Sequence, residues 1–302
     1  MTYRLRTDVD SGQPTRGGMV EDEWPSLGVV GLGTIAMAVI QGLMELEEPP
    51  PRVVLCPRNA EKAAWLAQKY PDSCVVASSN QEVLDSVDVV LIGLRTQVYE
   101  EILKGLKFRN QSQKIVTMTS CVSVETMASV VNLPVENVGK AVPLPAVAIH
   151  KGVTIITGAP KVTHKIFSEL GGTQPCANEA ELTSLMVMTC QMGPFYKFLE
   201  TCGQFMVSRG VPSNVASQYT AKCMQTILSD AVDKCPGGVK AFTGLVEEQT
   251  PGGLNEVNIS DLSRAGVFEE YEKSLQKTVD ILTGNVSLKK DDDATSGETG
   301  KK

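Results

Sequence analysis

The stretch Leu27-Gly-Val-Val-Gly-Leu-Gly-Thr-Ile-Ala-Met-Ala38 limits the fold more than any other part of this chain. A short apolar run, Leu27 to Val30, meets Gly31-Leu-Gly33, and an apolar helical pattern follows from Ile35 to Leu46. The order is strand, glycine turn, helix. The spacing Gly31-x-Gly33-x-x-Ala36 has the form of a dinucleotide fingerprint: Gly31 allows a tight turn, Gly33 lets the backbone approach a pyrophosphate, and the small Ala36 lets helix pack on strand. The helix N-terminus would hold the phosphates. Two glycines in a loop also serve as plain turn formers, so the surrounding pattern has to separate the two readings.

That pattern alternates. Val53–Leu55 precedes a helical stretch from Ala60 to Lys69, Val75-Val76 precedes Glu82 to Ser86, and Val89–Ile92 precedes Gln97 to Leu106; Lys114 to Met118 and Val124 to Val131 continue the series. Strands alternating with helices imply a doubly wound parallel sheet of Rossmann type, with a ligand crevice at the C-terminal ends of its strands. The glycine turn sits where a cofactor is expected. At the end of the second strand, the Asp or Glu that binds the ribose hydroxyls of NAD is replaced by Cys56-Pro57-Arg58-Asn59. Arg58 is placed to meet the 2′-phosphate of NADP(H), or is a surface arginine near a helix start.

Composition narrows the partners. The chain has 302 residues, 42% of them hydrophobic, and no apolar run approaches the roughly 18 residues that a membrane helix requires. A net charge of −7 argues against nucleic acid or an anionic membrane surface as the main partner. Eight scattered cysteines without C-x-x-C spacing, and only two histidines (His150, His164), indicate neither a metal site nor a disulfide scaffold; reduced thiols in the cytoplasm fit better. Residues 1–26 mix arginines with acids and turn formers and read as a disordered arm, and residues 285–302 as a solvated tail.

From about Pro160 the pattern changes. Lys161 to Leu170 reads as a last helix on the sheet domain and Gly171 to Cys176 as a connection or edge strand, so that residues 27–176 form the cofactor domain and residues 177–284 an all-helical one. Leu182 to Met206 is apolar nearly all round, with Gly193-Pro194 in its middle expected to bend or break it. Asn214 to Val232 resumes the helical periodicity. Helices this apolar must be buried in a core or against a second subunit, and a homodimer or higher homo-oligomer is favoured.

This order of features resembles the pyrroline-5-carboxylate reductase family from Leu27 to about Leu282. Gly31-Leu-Gly-Thr-Ile-Ala is similar to the family's Gly-Ala-Gly-Asn-Met-Ala turn, Leu94-Arg-Thr-Gln97 to the Lys-Pro-Gln after its fourth strand, and Arg209-Gly-Val-Pro212 to the Gly-Leu-Pro that opens a dimerisation helix. Thr250-Pro-Gly-Gly-Leu-Asn255 looks like its Ser-Pro-Gly-Gly-Ala-Thr. The resemblance implies NADPH-dependent hydride transfer to the C=N of a small cyclic imine, pyrroline-5-carboxylate, giving proline. On the cofactor side it implies contacts from Gly31, Gly33, Thr34, Ile35, Ala36, Arg58, Leu94, Arg95, Gln97 and Thr119. On the substrate side it implies Gly252, Gly253, Leu254, Asn255 and Gln191, with Asn255 as the catalytic residue.

Departures concentrate on the substrate side. The family's threonine becomes Asn255, followed by Glu256, and its Ser-Gly-Ser-Gly-Pro becomes Cys190-Gln-Met-Gly-Pro194. Gln191 alone reads as a helix-packing residue, Arg95 as either a phosphate ligand or a helix cap, and Pro251-Gly252-Gly253 as either a simple turn or a set of amides that receives a substrate carboxylate. A reductase of another imine or keto acid, and a non-catalytic NADPH-binding dimer, are the alternatives these changes leave.

Overall fold

A computed structural model describes residues 23–109 and 111–286. Its first half is the expected alternation: β1 (Leu27–Val30), α1 (Thr34–Met44), β2 (Val53–Leu55), α2 (Ala60–Lys69), β3 (Cys74–Val76), α3 (Asn80–Ser86), β4 (Val89–Ile92), α4 (Tyr99–Lys104), β5 (Lys114–Thr117), α5 (Val124–Val131) and β6 (Val138–Val142). β7 (Thr154–Gly158), α6 (Lys161–Glu169) and β8 (Thr173–Pro175) complete one eight-stranded sheet in the order β3-β2-β1-β4-β5-β6-β7-β8. Every residue of β1 and β4 is buried, as central strands covered on both faces must be. The chain leaves β1 to one side for β2 and β3 and returns on the other for β4. That topological switch opens a crevice at the C-terminal ends of β1 and β4.

The sheet departs from the parallel expectation at one place, since β6 and β7 run antiparallel. A parallel return needs a long crossover, usually a helix. Between β6 and β7 the chain has only a proline-rich stretch with a 3₁₀ turn at Pro145–Ile149. Polar caps start several helices: Asn59, Ser79, Ser123 and Asn178 each accept a backbone N–H from the first turn of α2, α3, α5 and the helix that follows β8.

That helix is α7 (Glu179–Thr189), and α8 (Met192–Ser208), α9 (Ser213–Lys234), α10 (Val239–Glu247), α11 (Leu254–Arg264) and α12 (Val267–Leu282) follow it. The break expected at Gly193-Pro194 falls slightly earlier, at Cys190-Gln191. Pro194 lies in the first turn of α8, where its missing N–H has no intrahelical partner to lose. α7 packs on the sheet through Leu182 and Met186, which form a small core with Val142 and Ile155. Beyond it burial nearly stops: α8, α10, α11 and α12 bury no residue and α9 buries only Ala216 and Thr220.

The arm reading of residues 1–26 falls on described residues only at its end, where Trp24 packs against the main core and its indole Nε1 donates to the Glu48 carbonyl at 2.9 Å. Residues 1–22 and 287–302, and with them nearly all of the tail reading, lie outside the described residues. No helix among the described residues is long and apolar enough to cross a membrane.

Candidate active site

The crevice is built on a steric constraint. Gly31 has φ of 92°, and a Cβ there would stand 2.7 Å from the carbonyl carbon of Gly93. Gly93, at the end of β4, has the reciprocal problem: its Cβ would lie 2.4 Å from the Gly31 carbonyl oxygen and 2.9 Å from the Ala36 Cβ. Two glycines and an alanine therefore let β1, β4 and α1 meet. Gly33 differs, because a Cβ there meets only the Gly93 carbonyl, at an ordinary 3.7 Å. Packing does not demand a glycine at this position. It keeps a cradle open in front of the α1 N-terminus that a side chain would fill, which is what a pyrophosphate requires.

A cleft of about 510 Å³ lies there, lined by the Gly31–Gly33 turn, residues 58–61, Gly93–Arg95 and Val98. Of the cofactor residues expected from sequence, Gly31, Gly33, Arg58, Leu94 and Arg95 line it, and Ala36 packs beneath it at 1% exposure. Thr34 and Ile35 form the adjoining first turn of α1 without lining the cleft. Gln97 is exposed and is not part of its wall. Thr119 is buried behind it and donates its hydroxyl to the Leu94 carbonyl at 3.0 Å, so it holds the loop rather than the lumen. The Arg95 carbonyl accepts the Val98 and Tyr99 amides and so starts α4, while the Arg95 side chain stays exposed at the cleft.

Sequence reasoning passed over Gly93, Cys56 and Asn59. Asn59 caps α2 with its Oδ1 and donates Nδ2 to the Leu32 carbonyl at 3.2 Å, which fastens the Arg58 loop to the glycine turn. Cys56 is fully buried, and its Sγ accepts the Gly31 amide at 3.3 Å. An Asn in the N-cap position was the available signal for Asn59; nothing in sequence announces the other two.

The expected substrate residues stand apart from this cleft. Thr250-Pro-Gly-Gly253 is a type II turn, with Gly252 at φ of 70° and the Gly253 amide donating to the Thr250 carbonyl at 2.8 Å. It opens α11, and Leu254 is 83% exposed. The Gly252 amide donates to Glu256 Oε2 at 2.5 Å, and Asn255 Nδ2 donates to Gln249 Oε1 at 2.8 Å. Gln191 is 9% exposed and both ends of its amide are engaged, Nε2 on the Val187 carbonyl and Oε1 by the Tyr271 hydroxyl. The packing reading suits it better than substrate contact. Among the described residues, no group of three or more His, Cys, Asp or Glu is placed to hold a metal ion.

Comparison with known proteins bears on both halves. Residues 26–121 match the family model described as NADP oxidoreductase coenzyme F420-dependent. Pyrroline-5-carboxylate reductase 3 of Xenopus laevis is 24% identical over 273 residues, covering 84% of this chain and 95% of the relative. The 1-pyrroline-5-carboxylate reductase of Streptococcus pyogenes superposes with a TM-score of 0.72 at 22% identity, covering 86% of this chain and 98% of that one. Over most of its length the chain is therefore similar to pyrroline-5-carboxylate reductases, and it shares their fold. The Plasmodium falciparum pyrroline carboxylate reductase, solved with NADP bound, also superposes, with a TM-score of 0.73 at 16% identity, covering 88% of this chain and 99% of that one. The likeness to these reductases runs through the helical half as well as the sheet, so it includes the segment that carries Asn255.

Proposed function

We propose that this chain is an NADPH-dependent imine reductase that reduces the C=N of pyrroline-5-carboxylate, giving proline. The observation that carries the reading is the glycine cradle with Arg58, rather than an acid, in the loop that leaves β2, in a chain whose likeness to the named reductases spans both halves. Gly31, Gly33 and the first turn of α1 would hold the pyrophosphate, and Arg58 the 2′-phosphate; residues 27–176 serve as the cofactor domain. NADPH, when bound, supplies a hydride. What remains for the protein is to orient two reactants and exclude water, with a hydrogen-bonding group near the ring nitrogen. Asn255 is assigned that place.

A homodimer is part of the same reading. In one copy the walls of the cleft come only from residues 31–98, and α11 with Asn255 is exposed. The apolar helices that bury almost nothing would be covered by a second copy, with residues 177–284 as the shared helical domain. All eight cysteines are free thiols, which suits a reducing cytoplasm. The test is Asn255→Ala, assayed for NADPH binding and imine-dependent NADPH oxidation. Binding intact with turnover lost supports the assignment; unchanged turnover removes Asn255 from the site.

A further inference from the structure

We infer that Asn59 is a positioning residue for NADPH selectivity: its side chain fixes the place of Arg58 relative to the glycine turn and acts on the cofactor only through Arg58. The inference rests on the assignment of Arg58 to the 2′-phosphate. NADPH differs from NADH by that phosphate alone, and the same molecule carries the pyrophosphate. Discrimination therefore depends on how the cation that meets one is spaced from the cradle that holds the other. The cradle points to a ligand on grounds of its own. Gly33 has an ordinary φ of −79°, and a Cβ there would touch nothing closer than 3.7 Å, so packing leaves room for a side chain that the sequence withholds.

Arg58 is exposed, and among the described residues its guanidinium has no hydrogen bond or ion pair, so the backbone that carries it decides where it stands. That backbone is the connection from β2 to α2, in which Pro57 has no amide to contribute. It is tied to β1 and the glycine turn on both sides of Arg58. Before it, the Cys56 amide donates to the Val29 carbonyl at 3.1 Å, and Cys56 Sγ accepts the Gly31 amide at 3.3 Å. After it, Asn59 Nδ2 donates to the Leu32 carbonyl at 3.2 Å, while Oδ1 accepts the Lys62 amide that starts α2. An amide can only donate and a carbonyl only accept, so the two partners fix which end of the Asn59 side chain is which. Ser and Asp cap a helix as well as Asn does, but neither carries an N–H to spare. Capping alone leaves the choice of Asn open; the Leu32 carbonyl, in the wall of the same cleft as Arg58, accounts for it.

The test is a double-mutant cycle on the full-length chain, with NADPH and NADH affinities measured by fluorescence titration for the parent, Asn59→Ser, Arg58→Ala and the double variant. Asn59→Ser keeps an acceptor at the start of α2 and removes the donor to Leu32, and NADH binding checks that the cradle is intact. Asn59→Ser is expected to weaken NADPH about fivefold, the effect of one ordinary hydrogen bond, to leave NADH nearly unaffected, and to add nothing once Arg58 is Ala. An unchanged NADPH affinity, equal losses for both cofactors, or a loss that persists in full beside Arg58→Ala overturns the role of Asn59 while Arg58 keeps its assignment. Arg58→Ala with the parent's ratio of NADPH to NADH affinity overturns both.

Discussion

At the scale of single residues, the cofactor side is governed by space and the rest by charge. Arg58→Ala should weaken NADPH binding by about one to two orders of magnitude, the effect of a lost charge-assisted hydrogen bond, and leave NADH nearly unaffected. Equal losses for both, measured by fluorescence titration, would contradict its assignment to the 2′-phosphate. Gly93→Ala should cost about 1–3 kcal/mol of stability and weaken cofactor binding, because its new Cβ would meet the Gly31 backbone, which cannot move without reshaping the turn. Urea unfolding measures the first effect; a variant as stable as the parent would show that the turn is softer than its contacts imply. Burial pushes the Cys74 thiol up to about 11, so at neutral pH it should resist thiol reagents that label the exposed Cys121, Cys190 and Cys235. Labelling of Cys74 in the native protein, read by mass spectrometry, would contradict this. Gly31, Gly33 and Ala36 were legible because their spacing along the chain is itself the constraint. Gly93 was not, since its partners belong to β1 and α1, and only the pairing of β4 with β1 makes a side chain there impossible.

At the scale of elements, a buried ion pair helps to join the sheet to the helical half, beside the apolar packing of α7. Lys140 on β6, with only 3% of its side chain exposed, lies 3.0 Å from Glu179 Oε2 in the first turn of α7, and Glu179 Oε1 accepts the Val124 amide at 2.8 Å. Glu179→Ala removes the partner of a buried charge and of a helix-start amide together, and should cost about 3 kcal/mol. Lys140→Met removes the buried charge itself and leaves a carboxylate that is 25% exposed to water, so it should cost distinctly less. The order of the two unfolding free energies is the check, and the reverse order would mean that the pair is not desolvated as it stands. Apolar runs and helical periodicity made β1, β2, β4, α2 and α5 legible to the residue. Periodicity could not give the direction of β7, which depends on how little chain separates it from β6. It also misplaced the α7–α8 break, because proline is the usual breaker but is tolerated in a first turn.

At the scale of the whole molecule, the described residues of the sheet half build a large buried core, whereas those of the helical half after α7 bury almost nothing. Phe205, Tyr219 and Val232 are each about two-thirds exposed, on helices that read in sequence as needing burial. In the proposed dimer a second copy covers them. Phe205→Asp should therefore shift the protein toward monomer in sedimentation and lower imine-dependent turnover with it; a parent protein that sediments as a monomer at micromolar concentration would contradict the dimer. The fold was legible at this scale because each half has its own periodicity. A route from Asn255 to the glycine cleft was not, because every residue lining that cleft lies between Gly31 and Val98. The most direct measurement is NADPH consumption at neutral pH with and without pyrroline-5-carboxylate and 1-pyrroline, with the product amine quantified alongside. Consumption that depends on an imine, with one amine formed for each NADPH oxidised, is the expected result. NADPH that binds and is consumed with neither ring would contradict the assignment of this chain as an imine reductase.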